Sequence, residues 1–301
     1  MKEQSVARTP TSVVLIGWDG ADRRVVHKLM AHGKLPHLRR LSKSGSFVDI
    51  DVQGETDTRA GWAEILTGCE PSVTGVYSNV RYNDLPCDHT IFERLKYHFS
   101  SQGIATGAFI AKQGYVLTGP SPLGSIDEYK EGLLRDSAVS AEAVSFIARH
   151  QNERFFLFVH FDGPDKQGHG FGEFSREYRM AIRKADWLTG RILSQLRASD
   201  LLEKTAVYVT ADHGFDKGKT THKNAPRVFL ASNDPTISES GTRFDITPTI
   251  LHRMGISMNE ITPQISGISL SSEKLRFWEK QHRWRPVSTL EPVLSSAKSG
   301  S

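Results

Sequence analysis

Residues 205–213 read TAVYVTADH, an apolar, β-branched run that ends on a carboxylate and a histidine. The same pattern occurs at 13–19, where VVLIGW runs into Asp19, and at 155–169, where FFLFVHFDGP leads to Asp165 and His169. Short continuous apolar runs suit strands buried on both faces, as in a parallel sheet covered by helices. Polar residues gathered just past such strands mark the edge at which open α/β sheets bind ligands. The three runs together predict a parallel sheet whose working edge lies at the strands' carboxyl ends.

The intervening segments read mostly as helices. DRRVVHKLMAHGKLPHLRRLSKSG splits into two short helices at Gly33 and Pro36, and SFVDIDVQ alternates as a strand. Helices are also predicted from Thr58 to Leu66, Thr90 to Ser100 and Ala138 to His150, with IATGAFIA a further strand. Tyr178, Ile182, Ala185, Ile192 and Leu196 line one face of a long helix. RFDITPTILHRMGI reads as a late helix with Pro248 in its first turn, and 113–131, rich in Gly, Pro and Ser, as a loop bordering the site. Strands alternating with helices give the fold class: α/β, with a mostly parallel central sheet and helices on both faces. One catalytic domain is expected over 1–272, followed by an extended or disordered C-terminal extension at 273–301.

The chain has 301 residues, 38% hydrophobic and 24% charged, enough for a substantial core. Its formal charge of +4 arises from Lys and Arg scattered among acids. That distribution fits a groove for a phosphate-bearing substrate as well as it fits nucleic acid, and nucleic-acid binding is not expected as the primary role. Cys69 and Cys87 are too few and too far apart for a C-x-x-C site and are expected as free thiols, with one disulfide between them the alternative. The polar start MKEQSVARTPTS precedes an apolar run too short for a signal core, and no run nears the roughly twenty residues of a membrane span. A cytoplasmic protein is the expectation, and oligomeric state leaves no trace in the sequence.

Asp165 and His169 stand four apart around a glycine, where a tight turn would aim both at one cation. Asp212 and His213 are adjacent and can serve one metal or bridge toward two. Each residue alone has a plainer reading: Asp19 as a helix cap, Thr58 as an N-cap, His222 as solvated. His160 is expected in a supporting place within its strand. Asp162 competes with Asp165 but lacks a histidine four residues on.

In chain order, WDG at 18–20, TRAGWAEILTGCEPSVTGVYSN from Thr58, PDKQGHG, TADHGF and His222 resemble the alkaline phosphatase superfamily. Within it the chain is most similar to the type I phosphodiesterase and nucleotide pyrophosphatase group, in which a Thr stands nine residues before a Thr-Gly pair, as Thr58 stands before Thr67 and Gly68. The resemblance implies a three-layer sandwich and two divalent ions. One falls to Asp19, Thr58, Asp212 and His213, the other to Asp165, His169 and His222. Zinc is the first choice, with manganese or iron compatible on ligand type.

The resemblance further implies that Thr58 is the nucleophile, forming a phospho-threonine, and that Asn79 donates to the phosphoryl oxygens. Arg59 could help neutralise charge. The implied reaction is hydrolysis of a phosphodiester or pyrophosphate bond in a small phosphate-ester substrate. Phosphomonoester or phosphonate hydrolysis, and transfer to an acceptor alcohol, are alternatives on the same scaffold. A threonine cannot become formylglycine, which disfavours a formylglycine sulfatase. Ala60, where the family often has Pro, and Trp62, where it often has a smaller residue, imply an altered substrate pocket.

Overall fold

The computed structural model describes residues 12–271. The expected extension at 273–301 lies outside the described residues, as do the first eleven. In chain order the elements are β1 (Ser12–Trp18), α1 (Arg23–Ala31), α2 (Pro36–Ser44), β2 (Ser46–Asp51), α3 (Thr58–Thr67), α4 (Pro71–Thr74) and α5 (Ile91–His98). There follow β3 (Ala105–Ile110), β4 (Glu128–Lys130), α6 (Asp136–Arg149), β5 (Phe155–Phe161), α7 (Gly163–Phe171) and α8 (Arg176–Ala198). The last are β6 (Thr205–Thr210), β7 (Arg227–Ser232), β8 (Gly241–Thr242) and α9 (Ile246–Arg253).

Eight strands form one sheet in the order β4-β3-β5-β1-β6-β7-β2-β8. The strands read first from the sequence, β1, β5 and β6, are neighbours at its centre and run parallel. Their residues are fully buried, as continuous apolar runs require. Parallel pairing puts their carboxyl ends on one edge, together with that of β3. Strand β7 runs antiparallel to both β6 and β2, so the sheet is mixed at that side.

Alternation along β1 shows that helices cover both faces. Gly17 faces Trp62 of α3, while the indole N–H of Trp18 donates to Thr189 of α8 at 3.2 Å. Helix α8 buries Tyr178, Ile182, Ala185, Ile192 and Leu196, the stripe its periodicity predicts. Trp62 is fully enclosed against Phe158 and His160, with ring centroids 5.4 and 5.2 Å away. A Cβ on Gly17 would stand 2.1 Å from the indole. Trp62 therefore packs between helix and sheet, which corrects the expectation that it shapes the substrate pocket.

Two further expectations are revised. The Asp165–His169 segment is not a tight turn but helix α7, in which Pro164 occupies the tolerant first turn. Gly168, which weakens a helix locally, is required there because a Cβ would meet the Phe215 ring at 2.4 Å. Residues 113–131 are not simply a loop, since they hold a 3₁₀ turn at Ser121–Ser125 and strand β4. Strand β7 was not anticipated at all. Cys69 and Cys87 are free. Among the described residues no helix is long and apolar enough to cross a membrane.

One buried ion pair ties the catalytic edge to the helix layer. Arg243 meets Glu64 of α3 through two bonds, Nε to Oε2 at 2.7 Å and Nη2 to Oε1 at 2.9 Å. It also donates to the carbonyls of Asp212 and Glu55. Removing one partner of such a pair strands a buried charge. Glu64→Ala is expected to cost about 3–5 kcal/mol of stability in urea unfolding; a loss below about 1 kcal/mol would show that the pair is not structural.

Candidate active site

Four carboxylates meet past the ends of the central strands. Asp19 follows β1, Asp162 and Asp165 follow β5, and Asp212 follows β6. Asp19 does not cap α1: Asp22 does, accepting from the backbone N–H groups of Arg24 and Val25. Asp19 is instead fully buried, with one oxygen 2.9 Å from Nε2 of His160. His160 thus holds a metal-ligand candidate from behind, the supporting place expected for it.

Helix α3 starts at the same edge. Thr58 is its first residue rather than its cap, the cap position being Asp57, and its hydroxyl lies 3.5 Å from Nε2 of His213. Asp57 accepts from the Asn79 N–H at 2.8 Å, and Asn79 Oδ1 in turn accepts from the Arg59 N–H at 3.1 Å. A backbone donor requires an acceptor, so the Asn79 amide is fixed with Oδ1 toward the helix. Its NH₂ group is the donor it can offer outward.

Helix α7 brings Asp165 and His169 onto one face, His169 Nε2 standing 3.3 Å from Asp165 Oδ1. The start of α7 is held by Asp136 of α6, which accepts from the N–H groups of Asp162 and Gly163. His222 reaches the same point, its Nε2 3.2 Å from Nε2 of His169. All seven residues predicted as ligands are therefore gathered in one place. Asp19, Asp212 and His213 present ligand atoms within 4.8 Å of one another, and so do Asp165, His213 and His222.

Two of the histidines are oriented by backbone carbonyls. Nδ1 of His169 lies 2.9 Å from the Thr220 carbonyl and Nδ1 of His213 lies 3.0 Å from the Gly214 carbonyl. A carbonyl only accepts, so Nδ1 of each ring donates to it and Nε2 is the nitrogen turned to the acids. Asp19 Oδ1, Asp165 Oδ1 and Asp212 Oδ2 are enclosed without hydrogen-bond partners. Orphaned carboxylate oxygens beside imidazole nitrogens fit the donor set of a divalent cation.

Lys112, two residues past β3, was missed. Its ammonium lies 2.8 Å from Asp165, 3.0 Å from Asp19, 3.2 Å from Asp162 and 3.3 Å from the Thr58 hydroxyl. It occupies a strand end like the other site residues, and the rule that picked them out applies equally to FIAKQGY. Burial works against its charge, but Asp19, Asp165 and Asp162 hold its pKa well above the usual lysine value. Burial likewise opposes ionisation of Asp19, yet Lys112, His160 and His213 keep it well below the carboxylate range. Burial and the nearby Asp19 push Asp162 and Asp212 up to about 6. Burial and His213 bring His222 down to about 4.

The family model for type I phosphodiesterase / nucleotide pyrophosphatase matches residues 13–259. The chain belongs to that family. It is 32% identical over 132 residues, 40% of its length, to a 2,3-bisphosphoglycerate-independent phosphoglycerate mutase of Clostridium kluyveri, covering 24% of that protein. It is 22% identical over 204 residues, 62% of its length, to human ectonucleotide pyrophosphatase/phosphodiesterase family member 1, covering 22% of it. The chain thus spans about a quarter of these relatives' length. Its fold resembles alkaline phosphatase from the Antarctic bacterium TAB5, with a TM-score of 0.59, 14% identity, and coverage of 83% of this chain and 99% of the other. Family membership and fold place the chain in the alkaline phosphatase superfamily, as the ordered motifs suggested.

A ligand that binds only the folded state raises the melting temperature. Stripping divalent metal with EDTA is expected to lower the Tm by roughly 5–10 °C, with recovery on adding zinc or manganese. His169→Ala should reduce the metal content found by elemental analysis. An unchanged Tm together with no metal uptake would remove the metal assignment.

Proposed function

We propose that this chain is a metal-dependent hydrolase cleaving phosphodiester or pyrophosphate bonds, with Thr58 as nucleophile and a phospho-threonine as intermediate. The observation that carries this reading is the convergence of a buried threonine hydroxyl at a helix start with two groups of Asp and His. Asp19, Thr58, Asp212 and His213 would hold one divalent ion, and Asp165, His169 and His222 a second. Zinc is favoured for this oxygen and nitrogen set, with manganese and iron compatible. When bound, such ions acidify a coordinated alcohol and clamp the attacking and leaving oxygens of an in-line displacement.

The chain's own residues supply positioning and charge. Thr58 Oγ1 loses its proton to solvent and forms a bond to phosphorus as the ester oxygen opposite departs with the bonding pair and is protonated from solvent. The Lys112 ammonium, 3.3 Å from Oγ1, stands where negative charge develops. The Asn79 NH₂ group, aimed by the bond between its Oδ1 and the Arg59 N–H, donates to the non-bridging oxygens. Water then attacks phosphorus from the side the leaving group has vacated and releases Thr58.

Thr58→Ala is expected to lower kcat at least about a thousandfold while metal content stays at the wild-type level. Full activity in that variant would end the nucleophile assignment. Bis-p-nitrophenyl phosphate should be turned over faster than p-nitrophenyl phosphate; the opposite order would favour a phosphomonoesterase. The likeness to a phosphoglycerate mutase supports a second reading, transfer of the phosphoryl group to an acceptor alcohol. Phosphorylated acceptor in place of free phosphate among the products would decide for it.

A further inference from the structure

Arg59 follows the proposed nucleophile, yet its contacts lie away from the acids. Its guanidinium lies over the ring of Tyr82, 3.9 Å from the centroid, and over that of Tyr115 at 4.7 Å. These tyrosines belong to two separate loops, and both are well exposed, at 42% and 39%. Stacking on aromatic faces fixes the plane of a guanidinium and leaves its edge N–H groups as directed donors. The faces turned to Arg59 are occupied and not available to stack a base or sugar.

Lys112 meets three carboxylates, whereas Arg59 forms no ion pair among the described residues. Its Nε is enclosed without a hydrogen-bond partner. A partly buried arginine packed over two rings and lacking an acid is suited to receive an anion bidentately. The Cα atoms of Arg59 and Thr58 are about 3.8 Å apart, and the long side chain extends from there to the exposed tyrosines. Tyr115 follows by three residues Lys112, whose ammonium is 3.3 Å from the Thr58 hydroxyl, so an anion bound by Arg59 is held at the rim of the same site.

We propose that Arg59, stacked on Tyr82 and Tyr115, binds a second acidic group of the substrate, selecting esters that carry a neighbouring phosphate or carboxylate over esters of neutral alcohols. This rests on the phosphoester reading above and adds a specificity subsite to it.

The test compares carboxymethyl p-nitrophenyl phosphate with ethyl p-nitrophenyl phosphate, which share a leaving group and differ by one carboxylate. The metal-loaded wild-type protein should prefer the first in kcat/KM by about tenfold to a hundredfold, the range of a charge-assisted hydrogen bond. Arg59→Met should bring that ratio close to one, and Arg59→Lys, which keeps the charge without the fork, should restore part of it. Thermal melting verifies that each variant is folded. No preference in the wild type, or an unchanged ratio in Arg59→Met, would overturn the proposal.

A second measurement separates this proposal from the activity itself. In calorimetric titrations inorganic pyrophosphate should bind the metal-loaded protein more tightly than orthophosphate, and Arg59→Met should narrow the gap at least tenfold. If no ester is hydrolysed, the hydrolase reading fails and the titration still judges Arg59. If esters are hydrolysed but neither ratio responds, the subsite alone is wrong.

Discussion

Asp19, Asp165 and Asp212 are drawn to one point by three neighbouring parallel strands, and their mutual repulsion is the constraint around which the surrounding structure is arranged. Like charges about 4 Å apart cost on the order of 4 kcal/mol each at a partly buried site. The fold offsets this in fixed ways: Lys112 sits among the acids, and His160 stands behind Asp19. None of these groups is on a mobile surface arm. The result is a cluster of acidic oxygens on strand ends, the kind of donor set that suits a divalent cation.

Rigidity extends to the outer ring of contacts. His169 and His213 are oriented by backbone carbonyls, and α7 is docked by a carboxylate borrowed from α6. Backbone partners orient a ring whatever side chains surround them, so the histidine geometry depends on the path of the chain. The loop at 213–222 is consequently a structural part of the site despite its polar composition.

What was legible beforehand was what is written locally. Continuous apolar runs gave β1, β5 and β6, and a four-and-three spacing gave α8, because burial imprints its period directly on neighbouring residues. Helix α7 was misread because Gly168 weakens helical propensity, and the Phe215 ring that requires a glycine there lies 47 positions away in the chain. Asp19 has a plainer reading as a helix cap, but Asp22 caps α1, and only the turn of the chain after β1 carries Asp19 into the site. Lys112 was missed because a lysine among acids signals nothing until the strands are side by side. Tyr82 and Tyr115 are in the same position, since each acquires its role from a residue on another element.

The contact between Gly17 and Trp62 sets the height of α3 above the sheet. The bare stretch of β1 and the bulk of the indole are two halves of one spacer, whose thickness determines how far the start of the helix stands from the strand ends. The identities at 17 and 62 are therefore not independent. A chain with a side chain at 17 must carry a smaller residue at 62 to keep the threonine at the same level, so divergent relatives that share this geometry should exchange volume between these two positions and keep the sum.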